Sequence, residues 1–232
     1  MTQVLLVAAS GLAREALAAL DARGDRAIGV LDDDPARHGA TIGDGVRVLG
    51  GMDLVREHPD AALLVCAGRG SARRAIVARL GALGVGADRF ATLVHPGVRV
   101  PAGCHVGVGS VLLEGVVMTA DVRVGAHVVV MPHVTLTHDD VVSDYATLTA
   151  GVSLAGDVVV GPGAYLGMNA AVREHVRIGA GATVGMGAAV LADVPAGETW
   201  AGVPARRLTQ RVPATGQDMN PPEAGRTDGT VQ

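Results

Sequence analysis

Aromatic rings are nearly absent from this sequence. They make up 2% of its 232 residues: one Trp, two Tyr and one Phe. That argues against a sandwich core filled by rings and suits a narrow solenoid filled by Val, Leu and Ala. Cysteine is almost as scarce. Cys66 and Cys104 stand in apolar or repeat context with no CxxC, so they read as reduced core thiols of a cytoplasmic protein. Basic charge is not in excess. A net charge of -4 and a pI near 6.0 give no support for nucleic acid as a partner. No apolar run approaches the ~20 residues of a spanning helix. The opening Met1-Thr2-Gln3-Val4 lacks a basic stretch, so it reads as a first strand, not a signal peptide. A soluble chain without a membrane span is expected.

What is present is a beat of six. From Val100 to Pro195 each hexad opens on an aliphatic residue, through Val106, Leu112, Met118 and onward to Val190, without an insertion. The fifth position of each hexad is a second, smaller inward site, as at Cys104, Ser110, Val116 and Val122. Only Asp140 breaks that rule. A period of six fits neither a helix nor a hairpin strand; it marks a parallel β-helix of hexapeptides. Three hexads make one triangular coil, so residues 18 apart stack about 4.8 Å from one another. The beat fades after Asp193–Gly197. Gly202-Val203-Pro204-Ala205-Arg206-Arg207 then reads as a cap, and residues 209–232 as a disordered tail of Pro, Gly, Thr and Gln.

Residues 1–94 alternate strand and helix signals. Strands are expected at Val4–Ala8, Ala27–Leu31, Ala62–Cys66 and Phe90–Val94. Helices are expected at Leu12–Arg23, Met52–His58 and Ser71–Leu83, the last with Ser71 as N-cap. This order predicts a small parallel sheet with ligands at the carboxyl ends of its strands. Four features fall there. Ser10 and Gly11 lie in a degenerate glycine loop, weak as a motif but placed to cradle a pyrophosphate. Asp32 and Asp33 end the second strand, either facing a base or ribose or forming an Asx turn before Pro35. Gly68 and Arg69 end the third. Arg73 and Arg74 read as helix-surface residues able to assist.

Taken together, the repeats, the closing Gly202-Val203-Pro204-Ala205-Arg206 and the N-terminal pattern resemble the hexapeptide acyltransferases. The likeness is to the sialic-acid O-acetyltransferase type, and by layout to its nucleotide-sugar N-acetyltransferase branch acting on bacillosamine or perosamine precursors. It spans residues 3–208. It implies an α/β Rossmann-like nucleotide-sugar-binding domain (1–94), then a left-handed parallel β-helix acyltransferase domain (95–208). It also implies a homotrimer holding acetyl-CoA, as co-substrate, between neighbouring β-helices. A His followed by an acid is the base of such enzymes, and here that pair is His138-Asp139. Histidine titrates in the range this proton transfer needs.

Stacking by 18 places Gly156 over His138, leaving room for a thioester and a backbone amide for the oxyanion; the alternative is a plain turn glycine. Some relatives carry a second His nine residues after the base, where this chain has Thr147. The resemblance implies a CoA site along Gly167, Met168, Gly185 and Gly187, with Arg206 and Arg207 toward the phosphates. It also implies that the six N-terminal residues from Ser10 to Arg69 named above contact the nucleotide sugar.

Three other readings stay open. The acceptor is a hydroxyl of a sugar such as sialic acid. Or the chain is a zinc enzyme of the γ-carbonic-anhydrase kind, for which His133 and His138 have the right spacing. The third ligand, however, is missing at Gly97, His95 lies out of phase, and no metal is expected. Or the solenoid is a non-catalytic trimeric scaffold.

Overall fold

The computed structural model describes residues 2–43 and 45–209. The tail expected from residue 209 lies, from 210 on, outside the described residues. The N-terminal sheet begins with β1 (Gln3–Val7), α1 (Gly11–Arg23) and β2 (Arg26–Leu31). A hairpin follows, β3 (Thr41–Ile42) and β4 (Val46–Gly50), then β5 (Ala62–Val65) and α2 (Gly70–Ala82). The strand order is β3-β4-β2-β1-β5. β4, β2, β1 and β5 run parallel, and β3 is antiparallel to β4.

β1 and β5 are continuous aliphatic runs because both of their faces are covered. Ser10 caps α1 by accepting from Ala13 N, and Gly24 ends the helix with φ 76°. α1 buries Leu12, Ala13, Ala16, Leu17, Ala19 and Leu20. The expected Met52–His58 helix is a 3₁₀ segment, Met52–Glu57. Ser71 is not the N-cap of α2: the helix starts a residue earlier, Arg69 occupies the cap position, and no side chain caps it.

The expected strand at Phe90–Val94 divides. Only Phe90 bridges to Leu63 of the N-terminal sheet. Leu93–Val94, here β6, pairs with Val111–Leu112 and is the first rung of the repeat domain.

From there the chain climbs a three-faced parallel β-helix of two-residue strands, which fits the left-handed form that the resemblance implies. Face one stacks β6, Val111–Leu112, Val129–Val130, Thr147–Leu148, Tyr165–Leu166, Thr183–Val184 and Thr199–Ala201. Face two stacks Val117–Met118, Thr135–Leu136, Ser153–Leu154, Ala171–Val172 and Ala189–Val190. Face three stacks His105–Val106, Arg123–Val124, Val141–Val142, Val159–Val160 and Arg177–Ile178. The rungs pair in register at 18 residues, as at Arg123↔Val141 and Thr135↔Ser153. The last parallel pairing, Thr183↔Thr199, closes over a shorter span.

The first- and fifth-position side chains fill one continuous aliphatic core, each buried Val or Leu contributing about 1.5–3 kcal/mol. Val100 is the exception: it is 39% exposed, because no coil lies beneath it. The fourth hexad position turns each corner with positive φ from Gly103 to Gly187, and the non-glycine residues there are Asp, His, Asn and Tyr. At the far end Arg206–Arg207 pairs antiparallel with Thr199–Ala201, and buried Ala205 closes the core.

Face one carries the N-terminal domain. Val111, Leu113 and Val129 share a core with α1 and β1 residues. Faces two and three have no such cover within the described residues.

Candidate functional site

His138 and Asp139 sit at the corner between faces two and three. Asp139 takes φ 64°, and its Oδ2 lies 2.9 Å from His138 Nδ1. Hydrogen bonding to Asp139, with the charges of Asp139, Asp140 and Asp157, raises the His138 pKa above its usual value, against an opposing effect of desolvation. Nδ1 is thus the protonated nitrogen, and Nε2 is left to take a proton. The imidazole is 64% exposed.

Gly156 does stack over His138, but the space above it is taken by the imidazole itself. A Cβ built on Gly156 would collide with His138 Cε1 and Nε2. The glycine is therefore the seat of the ring. Its N–H donates to no acceptor among the described residues.

Asp140 points into the core without distorting the coil. It is fully buried. Its Oδ1 accepts from Val158 N at 2.9 Å, one coil on, and its Oδ2 from Thr137 N at 2.8 Å. Burial raises its pKa to about 6, against the two N–H bonds that favour the carboxylate. Ser110 acts in the same way at its own fifth position, accepting from Val128 N one coil on. A second imidazole–carboxylate pair, His175 Nδ1 to Asp157 Oδ2 at 2.9 Å, lies higher on the same corner.

The residues assigned to acetyl-CoA divide between regions of the fold. Met168 and Gly187 lie at the corner between faces one and two, away from the His138 corner of the same chain. Gly167 and Gly185 pack under the next coil, with Met186 N and Ala201 Cβ at 2.5 and 2.7 Å from where their Cβ atoms would be. Those two glycines are close-approach positions. Arg206 bonds the Ala205 carbonyl, and Arg207 pairs with Glu198 at 3.2 Å. His133 and His138 stand on different corners. Among the described residues no three His, Cys, Asp or Glu side chains converge.

The N-terminal residues border two clefts. Ser10 and Gly11, with Arg14 and Arg37, line one of about 640 Å³ at the start of α1. Gly68 and Arg69 line another of about 310 Å³, closed on its far side by Val129, Met131, Thr147, Thr149 and Tyr165 of face one. The Arg69 guanidinium lies 5.7 Å from the Tyr165 ring centroid. Asp32 and Asp33 line neither cleft. Asp32 accepts from Ala9 N at 2.7 Å and Asp34 N at 2.9 Å, an Asx turn. Asp33 accepts from Met52 N and pairs with Arg79.

One residue differs sharply from its sequence reading. Arg73 is not on the helix surface but fully buried between the domains. It donates to the carbonyls of His127, Ala67, Gly68, Tyr145 and Ala146 and to Thr147 Oγ1, all at 2.8–3.0 Å. Desolvation lowers its pKa to about 10, so it stays a cation at neutral pH. Beside it His127 is buried, stacked on Tyr145 and edge-on to Phe90. Burial, with Arg73 close by, lowers the His127 pKa. Gly70 makes this joint close-fitting: a Cβ there would collide with the Tyr145 carbonyl oxygen. Thr147 is buried in the same joint, its hydroxyl donating to the Gly68 carbonyl at 2.9 Å.

No family model matches the chain, and no curated protein does. Solved structures do. The acetyltransferase domain of PglB from Neisseria gonorrhoeae has a TM-score of 0.80 at 26% identity, covering 90% of this chain and 100% of that one. PerB from Caulobacter crescentus, solved with CoA and GDP-perosamine, has a TM-score of 0.81 at 28% identity, covering 90% and 98%. WeeI from Acinetobacter baumannii has a TM-score of 0.78 at 25% identity, covering 90% and 100%. Over nine-tenths of its length the chain therefore resembles the hexapeptide-repeat acyltransferases of the nucleotide-sugar N-acetyltransferase type.

Proposed function

We propose that this protein transfers the acetyl group of acetyl-CoA to the amino group of a nucleotide-linked amino sugar, with His138 as general base. The observation that carries this is the His138–Asp139 pair seated on Gly156, in a chain that over nine-tenths of its length resembles sugar-nucleotide acetyltransferases. The neutral amine attacks the thioester carbonyl; the C–N bond forms as the carbonyl becomes an oxyanion, and its collapse breaks the C–S bond and releases CoA. His138 Nε2 takes the proton that becomes acidic on the nitrogen and passes it to the departing sulfur. Asp139 holds the Nδ1 proton and stabilises the imidazolium. The unpartnered Gly156 N–H is the donor for the oxyanion. No acyl-enzyme is involved, because neither buried cysteine lies at this corner.

The N-terminal domain is read as Rossmann-like, holding the nucleotide sugar. The first turn of α1 offers backbone N–H groups to phosphates, with Arg14 and Arg37 bordering the same cleft. The Gly68–Arg69 cleft faces the β-helix and is suited to the sugar. A second copy of the chain completes the site. In one subunit His138 is largely exposed, and Met168 and Gly187 stand on another corner, so a trimer with acetyl-CoA between adjacent β-helices brings them together.

The test is acetyl-CoA consumption with UDP-, GDP- and dTDP-linked amino sugars, comparing wild type with His138→Ala. The variant is expected to lose about 10²–10⁴-fold in kcat. Unchanged turnover removes His138 as base. Turnover of hydroxyl-only acceptors alone supports O-acetyl transfer, and no turnover with any acceptor supports a scaffold.

A further inference from the structure

The joint between the domains is built around three groups that bond one another. Arg73 Nη1 donates to the Gly68 carbonyl at 2.9 Å, Arg73 Nη2 donates to Thr147 Oγ1 at 3.0 Å, and Thr147 Oγ1 donates to the same Gly68 carbonyl at 2.9 Å. The remaining Arg73 N–H groups reach carbonyls at both ends: Ala67 on the β5–α2 loop, and His127, Tyr145 and Ala146 on the β-helix. No carboxylate takes part. A buried guanidinium solvated by carbonyls and one hydroxyl, with no counter-charge, is costly to assemble. What the ring of bonds adds is direction. With both lone-pair directions of the Gly68 carbonyl engaged, the Gly68–Arg69 peptide cannot rotate, and the Arg69 side chain leaves it toward Tyr165.

The β-helix end of the joint spans two coils, His127 on one and Tyr145 to Thr147 on the next, on the side of the β-helix opposite the His138 corner. His138, the face-three strand Val141–Val142, Tyr145 and Thr147 follow one another within ten residues.

We infer that Arg73 and Thr147 are positioning residues for the acceptor. They fix the Gly68–Arg69 edge of the sugar cleft to face one of the β-helix, and so set the approach of the acceptor amine to the His138 of a neighbouring subunit. This rests on the function proposed above. Neither residue touches a reacting atom. Because Thr147 and the Gly68–Arg69 edge line the same cleft, their effect is expected on the acceptor.

Thr147→Val keeps the shape of the side chain and removes one donor and one acceptor. Thr147→Ser restores both. Two measurements are made on the full chain. With GDP-perosamine as acceptor, Thr147→Val is expected to raise the acceptor KM about tenfold, with the acetyl-CoA KM within about twofold of wild type, and Thr147→Ser to return to wild type. By amide hydrogen exchange, residues 67–72 are expected to exchange about tenfold faster in Thr147→Val, with residues 138–142 unchanged. Equal changes in both KM values, or none in either, overturn the positioning role. If wild type turns over neither GDP-perosamine nor its UDP- and dTDP-linked counterparts, the proposed function fails on its own. The exchange measurement then decides the clamp, and unchanged exchange at 67–72 refutes it.

Discussion

In the proposed mechanism, Asp139 sets the pH at which the imidazole of His138 takes up its proton. Its hydrogen bond is the largest cause of the raised His138 pKa, and a general base acts only in its neutral form. The activity controlled by His138 therefore rises through a pKa above the ordinary imidazole value and is lost below it. In Asp139→Asn the carboxylate charge is gone, so the limb of log kcat against pH moves to lower pH, toward about 6.5, and the plateau falls with the weaker base. A limb that stays in place in the variant assigns the titration to the acceptor amine instead. Gly156 is tested separately. In Gly156→Ala the methyl occupies the seat of the ring, and the exposed imidazole swings off it. Turnover is expected to fall at least about tenfold with little change in melting temperature, since no core residue moves. Full activity in the alanine variant sinks the seat.

At the scale of the element, the lapse in the hexad pattern is a bridge between coils. Asp140 satisfies Thr137 N in its own turn and Val158 N in the next, so a polar side chain in an aliphatic channel leaves no orphan N–H. Its folded pKa, about 6, stands above the ordinary carboxylate value of 3.8. Between those values the folded state holds more protons than the unfolded one. Stability contributed by the neutral form is therefore present at low pH and lost as pH rises through about 6, a change on the order of 2–3 kcal/mol. Asp140→Asn does not titrate. Its melting temperature relative to wild type is expected to rise between about pH 4 and pH 7; a constant difference across that range shows that Asp140 is ionised throughout.

Legibility differs between elements for physical reasons. The β-helix is readable because each hexad repeats the same two inward positions, so sixteen short segments share one phase. In the N-terminal half, α1 is readable from its apolar spacing. The β3–β4 hairpin gives no such signal, since Thr41–Ile42 is two residues long and glycines surround it. Arg73 and Thr147 are illegible for another reason. Nothing in the pattern of α2 separates the buried arginine from its exposed neighbours, and Thr147 has the same phase as any outward face-one residue. Only the docking of one domain on the other gives them their role. Gly70 is the one local trace of that docking, and a helix-start glycine has many commoner explanations.

For the whole molecule, the two faces that no described residue covers call for a cover. Face one is buried by the N-terminal domain, but Val117 and Leu191 are exposed on or beside face two, and Met168 and Met186 stack 18 residues apart at its corner, 51% and 77% exposed. Flexible, apolar methionines clustered on an otherwise polar surface mark a contact site. The same region carries Gly187, and the thioester chemistry proposed for His138 needs a wall that one subunit lacks. The trimer proposed above would supply both. Met186→Glu places a charge in that contact, where burial without a partner is prohibitive. Wild type is expected to sediment as a trimer and Met186→Glu as a folded monomer with unchanged circular dichroism and at least about tenfold lower acetyl transfer. A wild-type monomer with full activity would refute the shared site. A Met186→Glu trimer with normal acceptor KM but raised acetyl-CoA KM would instead place Met186 against the co-substrate.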